Sequence, residues 1–280
     1  MEQNHFTEIA SEITRTTLPE QAIALWWLGQ SGFVLRDNTL TIYLDPFLSN
    51  HPARLVPAPF PAEVGPPADL VLCTHDHLDH LDLPTIQGIG QSSPHARFVV
   101  PAPSVEQVIA AGIAPDRIIG VQPDEEWQLD TARVFPLPAL HGNTAPPAVY
   151  DFGFAESGGK YRYLGYVIEL NGVRVYHAGD TLVYDGMVER LRKLAIDIAL
   201  LPINGRGYFR EQQDLVGNLD EREAADLAAA VGVKLLIPMH YDMFAANLGR
   251  PGVLVEYVRA AHSELACYLP AYGRRFVYCR

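Results

Sequence analysis

The chain has 280 residues, 48% of them hydrophobic, which is enough to fill the core of one large α/β domain or two small ones. Its formal net charge of -12 comes from 33 acids and 21 bases scattered along the whole length. No Lys/Arg cluster forms a stripe that could follow a phosphate backbone, which excludes a nucleic-acid partner. The three cysteines, Cys73, Cys267 and Cys279, have no CxxC spacing and no small-domain context. They point to a reducing cytoplasm rather than a disulfide framework.

The first twenty residues lack a basic leader and a continuous apolar run. Phe6, Ile9 and Ile13 recur instead at helical spacing, so an amphipathic helix is expected within 1–20, packed on the body or on a neighbouring subunit of a homo-oligomer. No later stretch approaches the roughly 20 apolar residues of a membrane span.

Short β-branched and aromatic runs follow, separated by turn residues: 23–28, 32–36, 39–45, 70–74, 98–100, 133–137, 163–170, 173–177, 198–203, 235–239 and 274–278. Helical stretches are expected over 103–112, 187–194 and about 253–262. The plainest helix is 220–232, with Asp220 as N-cap, acids in its first turn and Gly232 at its end.

The halves of the chain echo one another. GFVLRDNTLTIYLD (32–45) and GYVIELNGVRVYHAGD (165–180) both read as a hairpin whose second strand ends in an acid. DLVLCTH (69–75) parallels DIALLPIN (197–204), and RFVVPAP (97–103) parallels KLLIPMH (234–240). Two such halves predict two sheets packed face to face with helices outside and chemistry at one shared edge. The six-proline segment 50–67 and the Gly/Pro-rich segment 142–160 interrupt this pattern beside that edge. Both are expected to wall a substrate pocket.

The chemistry concentrates in CTHDHLDHLD (73–82), directly after the apolar run of 69–72. Residues two apart share one side of an extended segment, so His75 and His77 can reach one ion while the following turn aims Asp79 and His80 at a second. Imidazoles with carboxylates and no thiolate suit divalent ions such as Zn, Mn or Fe. His141, Asp180 and His240 each close an expected strand and supply the missing ligands. Asp76 alternates away from its neighbours, and Asp82 is placed as a helix N-cap. His5, His51, His95 and His262 are read as residues without a metal role.

THDHLDH, a lone His141, AGD and MHY, in that order, resemble the metallo-β-lactamase superfamily. That resemblance implies one αββα sandwich domain over 1–280, with two mixed sheets flanked by helices and a two-metal site at one edge. ALWWLGQSGFVL, LPINGR, GNLDEREAADLAAAVG and IPMHYDMFAANL further resemble the branch that includes L-ascorbate-6-phosphate lactonase. The lactonases are longer, however, and His141 matches the wider superfamily.

The resemblance implies His75, His77 and His141 on one ion, and Asp79, His80 and His240 on the other, with Asp180 between them. Asp45 either orients a ligand histidine or is a turn residue before Pro46. His177 either faces the site, where it could steady a leaving alkoxide, or lies buried beneath it. Tyr241 and Asp242 follow a ligand directly and are placed around it. Asn204, Arg206, Tyr208 and Arg210 are substrate-binding candidates, an arginine there suiting a phosphate or carboxylate.

The function expected is a metal-dependent hydrolase in which two divalent ions, Zn or Mn, generate hydroxide, with Asp79 or Asp180 handling the proton. A lactonase on a small polar or phosphorylated cyclic ester leads. A phosphodiesterase resembling the phospholipase D-like enzymes of N-acyl phosphatidylethanolamines is the alternative, and a metal-binding protein without turnover is a third reading.

Overall fold

The computed structural model describes residues 2–142, 153–154, 156–213 and 215–280, with side chains from residue 6 onward except at 156 and 157. Helix α1 (Glu2–Arg15) leads into strands β1 (Ala22–Gly29), β2 (Gly32–Arg36), β3 (Thr41–Leu44) and β4 (Leu70–Leu72). Helix α2 (Leu83–Ser92), β5 (Arg97–Pro101), α3 (Val105–Ala110), β6 (Ile118–Val121), β7 (Trp127–Leu129) and β8 (Ala132–Pro138) follow. The second half contains β9 (Glu156–Ser157), β10 (Lys160–Tyr161), β11 (Leu164–Leu170), β12 (Val173–His177), α4 (Met187–Lys193), β13 (Ile198–Pro202) and α5 (Tyr208–Glu211). It ends with α6 (Glu221–Val231), β14 (Leu235–Met239), α7 (Pro251–Ala261), β15 (Ala266–Cys267) and β16 (Arg275–Cys279).

Two seven-stranded mixed sheets result. The first runs β16-β1-β2-β3-β4-β5-β6 and the second β15-β14-β13-β12-β11-β8-β7. The echo between the halves has a topological counterpart. β2 pairs antiparallel with β3, which pairs parallel with β4 and through it with β5; β11 repeats this with β12, β13 and β14.

One core joins the sheets. Leu25, Phe33, Leu35 and Ile42 from the first meet Val134, Ile168 and Val175 from the second, all within one buried cluster. Alternate residues of the first sheet, Trp26, Val34, Tyr43 and Val71, face the other way and pack under Ile9 and Ile13 of α1 and Ile86 and Ile89 of α2. β1, β3 and β4 are therefore buried on both faces, which explains their near-continuous apolar sequence.

The expected elements are found with boundary shifts of a residue or two, apart from the first helix after β5. There a short 3-10 turn over 102–104 precedes α3, because Pro103 has no amide proton to give. Asp220 accepts hydrogen bonds from the Arg222 and Glu223 amides, Glu223 accepts one from the cap backbone, and Gly232 closes α6 in the left-handed region. Asp82 occupies the N-cap position of α2, as expected, without a side-chain cap bond. Its carboxylate accepts instead from the Ser49 amide and the Thr85 hydroxyl. The short strands β6, β7, β9, β10 and β15 go beyond the expected set.

Candidate metal centre

Both sheets deliver their candidate ligands at one edge. β4 ends at Leu72, and the chain crosses into 73–82, where the His80 and Leu81 amides both donate to the His77 carbonyl and turn the chain toward α2. From the second sheet, His141 is held by paired backbone bonds with Gly153 (3.0 Å each), Asp180 follows β12, and His240 follows β14. Two backbone devices aim these side chains. Gly179 has φ +60°, and a Cβ there would lie 2.8 Å from Thr74 Cβ, so the loop carrying Asp180 closes against the first sheet only with glycine. His240 itself has φ +58°, an uncommon conformation for a residue with a side chain, and its amide donates to the Gln30 carbonyl at 3.0 Å.

Three overlapping groups of ligand atoms converge: His75, His77 and His141; His75, His80 and Asp180; and Asp79, His80 and His240. In the first group His77 Nδ1 lies 3.0 Å from His75 Nε2 and 3.3 Å from His141 Nε2. In the third, Asp79 Oδ2 lies 3.4 Å from His240 Nε2 and 3.7 Å from His80 Nε2. Asp180 stands between them. Its Oδ1 is 3.2 Å from His80 Nε2 and 3.3 Å from His240 Nε2, while Oδ2 is 3.5 Å from His141 Nε2.

Asp45, fully buried, organises the layer beneath. Its Oδ1 accepts the Thr74 amide, and its Oδ2 accepts both the Thr74 hydroxyl and His80 Nδ1–H, each at 2.7 Å. The proton on Nδ1 leaves the His80 Nε2 lone pair aimed at the Asp180 carboxylate, and this network is what assigns the tautomer. Nε2 and Oδ1 are buried with no hydrogen-bond partner, two acceptors facing one another. A positive charge between them, proton or metal ion, is what that geometry requires. The all-N/O donor set suits a divalent ion.

Electrostatics follow the same division. Burial pulls His75 well below the usual imidazole range and lowers His141 to about 3, and neighbouring imidazoles add to the effect. Burial also disfavours imidazolium at His80 and His240, but there the carboxylates win. Asp180, Asp79 and Asp45 hold His80 well above its ordinary value, and Asp180 with Asp79 lifts His240 to about 9. Burial raises the carboxyls of Asp79 and Asp180, yet the facing imidazoles outweigh it and keep both below the usual range.

The remaining candidates divide. His177 lies buried beneath the site, its Nε2–H donating to the Ser31 carbonyl at 2.8 Å and its Nδ1 accepting the Gly179 amide at 3.2 Å. Both ring nitrogens are used, which matches the buried one of the two expected placements, and the ring fixes the Gly179 turn. Asp242 accepts the Gln30 amide at 2.9 Å. Tyr241 packs its ring on Trp27 with centroids 5.1 Å apart.

In the loop after β13 the candidate arginines have partners within the chain. Arg206 forms a two-pronged ion pair with Glu223 of α6 (2.5 and 2.6 Å), and Arg210 donates to the Asn204 carbonyl and the Asn247 side chain. Asn204 is buried and bonded to Asn247 and Asn218, whereas Tyr208 is exposed. Asp76 turns outward to Arg162 and Gln107, as its alternation predicts. Residues 143–152 of the Gly/Pro-rich segment lie outside the described residues, as does the His5 side chain.

Three further residues belong to the centre. Gln30, in the left-handed turn between β1 and β2 and 1% exposed, donates its side-chain amide to Asp79 Oδ2 at 2.7 Å and lies 3.0 Å from His240 Nε2. Thr74 bonds Asp45 and sits 3.0 Å from His75 Nδ1. The buried Tyr163 ring covers His75, His77 and His141 at centroid distances of 5.3, 5.8 and 4.8 Å.

Two mixed sheets with helices outside and a His/Asp cluster at one edge coincide with a match to the model of the β-lactamase superfamily domain over residues 41–241. The UPF0173 metal-dependent hydrolase of Korarchaeum cryptofilum is 30% identical over 251 residues, 89% of this chain and 97% of that protein. The one from Pyrococcus furiosus is 32% identical over 224 residues, 79% of this chain and 85% of that protein. The chain belongs to this family of metal-dependent hydrolases within the β-lactamase superfamily. Among solved structures, Igni18, a metallo hydrolase from the archaeon Ignicoccus hospitalis, matches with a TM-score of 0.71 and 23% identity over 92% of this chain and 98% of that one. An isothiocyanate hydrolase from Delia radicum gut bacteria also matches at 0.71, with 19% identity over 91% and 99%. At those identities both speak for the fold alone.

Proposed function

We propose that the chain, acting as one domain over 1–280, holds two divalent ions and hydrolyses a cyclic ester, as a lactonase. The observation that carries this reading is Asp180, whose two oxygens address different imidazoles at 3.2–3.5 Å, the disposition of a carboxylate shared by two cations. His75, His77 and His141 would hold one ion and Asp79, His80 and His240 the other. When bound, the ions supply an acidified water and polarise the ester carbonyl.

The chain's own residues do the rest. Asp45 keeps the proton of His80 on Nδ1, so that Nε2 stays a donor of its lone pair. Gln30 pins one oxygen of Asp79, leaving the other to accept a proton from the attacking water and return it to the ring oxygen as the ester opens. Asp79 suits that task better than Asp180, its side chain being 15% exposed against 6%. The branch resemblance in LPINGR and IPMHYDMFAANL supports a lactone as the bond broken. With Arg206 and Arg210 engaged inside the chain, an uncharged lactone fits better than a phosphorylated one. The donor set accepts Zn or Mn, and the unpaired Cys73, Cys267 and Cys279 fit a reducing cytoplasm.

Metal analysis of protein purified without added metal should find close to two divalent ions per chain. The loaded protein should open simple lactones and leave a generic phosphodiester intact. One ion per chain at saturation sinks the two-ion reading; preferential phosphodiester cleavage replaces the lactone with the phosphodiesterase alternative.

A further inference from the structure

The proline-rich segment after β3 does not simply wall the metal centre. With the N-terminal helix and the start of α2 it encloses a separate cavity of about 1170 Å³, open to solvent on one side, whose lining includes none of the candidate ligands. That volume exceeds the roughly 300–1,000 Å³ usual for small-molecule sites. Phe6 and Ile9 of α1, Leu48, Leu55, Pro59 and Tyr272 give it a predominantly apolar wall.

Cavity and metal centre are joined by a short run of contacts. Tyr272 lines the cavity and packs edge-on against Trp27 (centroids 5.9 Å apart), whose indole N–H donates to the carbonyl of Gln30, the residue that touches Asp79 and His240. A second route runs through His51, which lines the cavity and packs on Phe244, four residues after His240. The Leu55 amide donates to the Met243 carbonyl at 2.9 Å and ties the segment to the same loop. Leu55 is 54% exposed at the cavity. The arginines of the 204–210 loop are engaged within the chain, and Arg54, which lines the cavity beside Glu63, donates to the Phe47, Ser49 and Val56 carbonyls.

We infer that this cavity receives the apolar chain of the substrate, making the preferred substrate a lactone with an alkyl substituent of several carbons. This rests on the lactonase reading for the bond broken, but the chain site stands on its own geometry. Entry is past Leu55, with the chain lying against α1 and the ester reaching the metal edge around the Phe47–Phe244 contact (centroids 6.0 Å apart).

Two measurements test it. Calorimetry of the metal-free protein with γ-lactones of increasing alkyl length should show affinity rising up to roughly fourfold per methylene until the cavity is filled. In the metal-loaded protein kcat/KM should climb with the same slope. Ala58→Trp, which fills the cavity, and Leu55→Ser, at its exposed edge, should flatten both slopes with the melting temperature preserved. Leu55→Ser guards against a folding failure of the bulkier variant.

Affinity independent of chain length overturns the inference whether or not any lactone turns over. So does chain-dependent binding that Ala58→Trp leaves intact, or binding without a matching slope in kcat/KM. Self-association that Ala58→Trp abolishes, with no alkyl binding, would give the cavity to a second copy and overturn it too. A complete lack of lactone turnover beside chain-dependent binding refutes the lactonase reading and leaves the cavity a separate apolar ligand site.

Discussion

Asp45→Asn tests the layer under the metal centre. In the native chain one carboxylate accepts three hydrogen bonds of 2.7 Å, from the Thr74 amide, the Thr74 hydroxyl and His80 Nδ1–H. Asparagine keeps the shape but replaces one acceptor oxygen with a donor. If the new NH2 faces His80, the imidazole must move its proton to Nε2, the nitrogen that faces Asp180. If it faces the Thr74 amide, two donors collide in a fully buried site. Either way one charge-assisted bond is exchanged for a mismatch, a loss of about 2 kcal/mol. In a chain of this size that lowers the melting temperature of the metal-free protein by about 4 °C. Loss of an outer partner of a ligand histidine costs about 10- to 100-fold in metal affinity. The loss should fall on the ion at His80 and spare the one at His75, His77 and His141. Competitive titration against a chelator, followed by calorimetry, would resolve the two sites. An Asp45→Asn variant that binds both ions with native affinity would refute the tautomer argument, whatever its stability.

Other substitutions probe separate levels of the structure. Asp180→Asn should leave about one ion per chain by mass spectrometry and abolish turnover, since the shared carboxylate is gone. Gly179→Ala adds a methyl 2.8 Å from Thr74 Cβ in a backbone conformation that resists it, and should cost about 1–3 kcal/mol by denaturant titration together with metal binding. Asp220→Ala removes a helix cap remote from the centre; it should cost about 1 kcal/mol and leave the metal content unchanged. Chelation should lower the melting temperature of the native protein by about 10 °C if both ions are held at about a hundred times their dissociation constants.

Much of this centre could be read from the sequence because its largest part is local. Four of the seven candidate ligands fall within six residues after an apolar strand, and the other three each end a strand of readable pattern. Gln30 gave no such sign. A glutamine in a hairpin turn has no compositional signature, and only the pairing of β1 with β2 and the packing of that turn bring it to residues 49 and 210 positions away. Arg206 was legible in loop and charge alone. Its pairing with Glu223, one of the acids in the first turn of α6, depends on how the loop folds back on that helix. The short strands β6 and β7 escaped because they are brief and only partly buried, which blurs any alternation.

The candidate ligands come from both sheets, and those sheets touch mainly through the aliphatic side chains between them. The core is thus a spacer that sets how far the histidines at 75–80 stand from Asp180 and His240. A methylene lost from Leu35 or Ile168, well away from any ligand, would let the sheets settle by a fraction of an ångström and alter how snugly the centre grips an ion. Ion selectivity is then a trait that packing changes anywhere in the sandwich can tune.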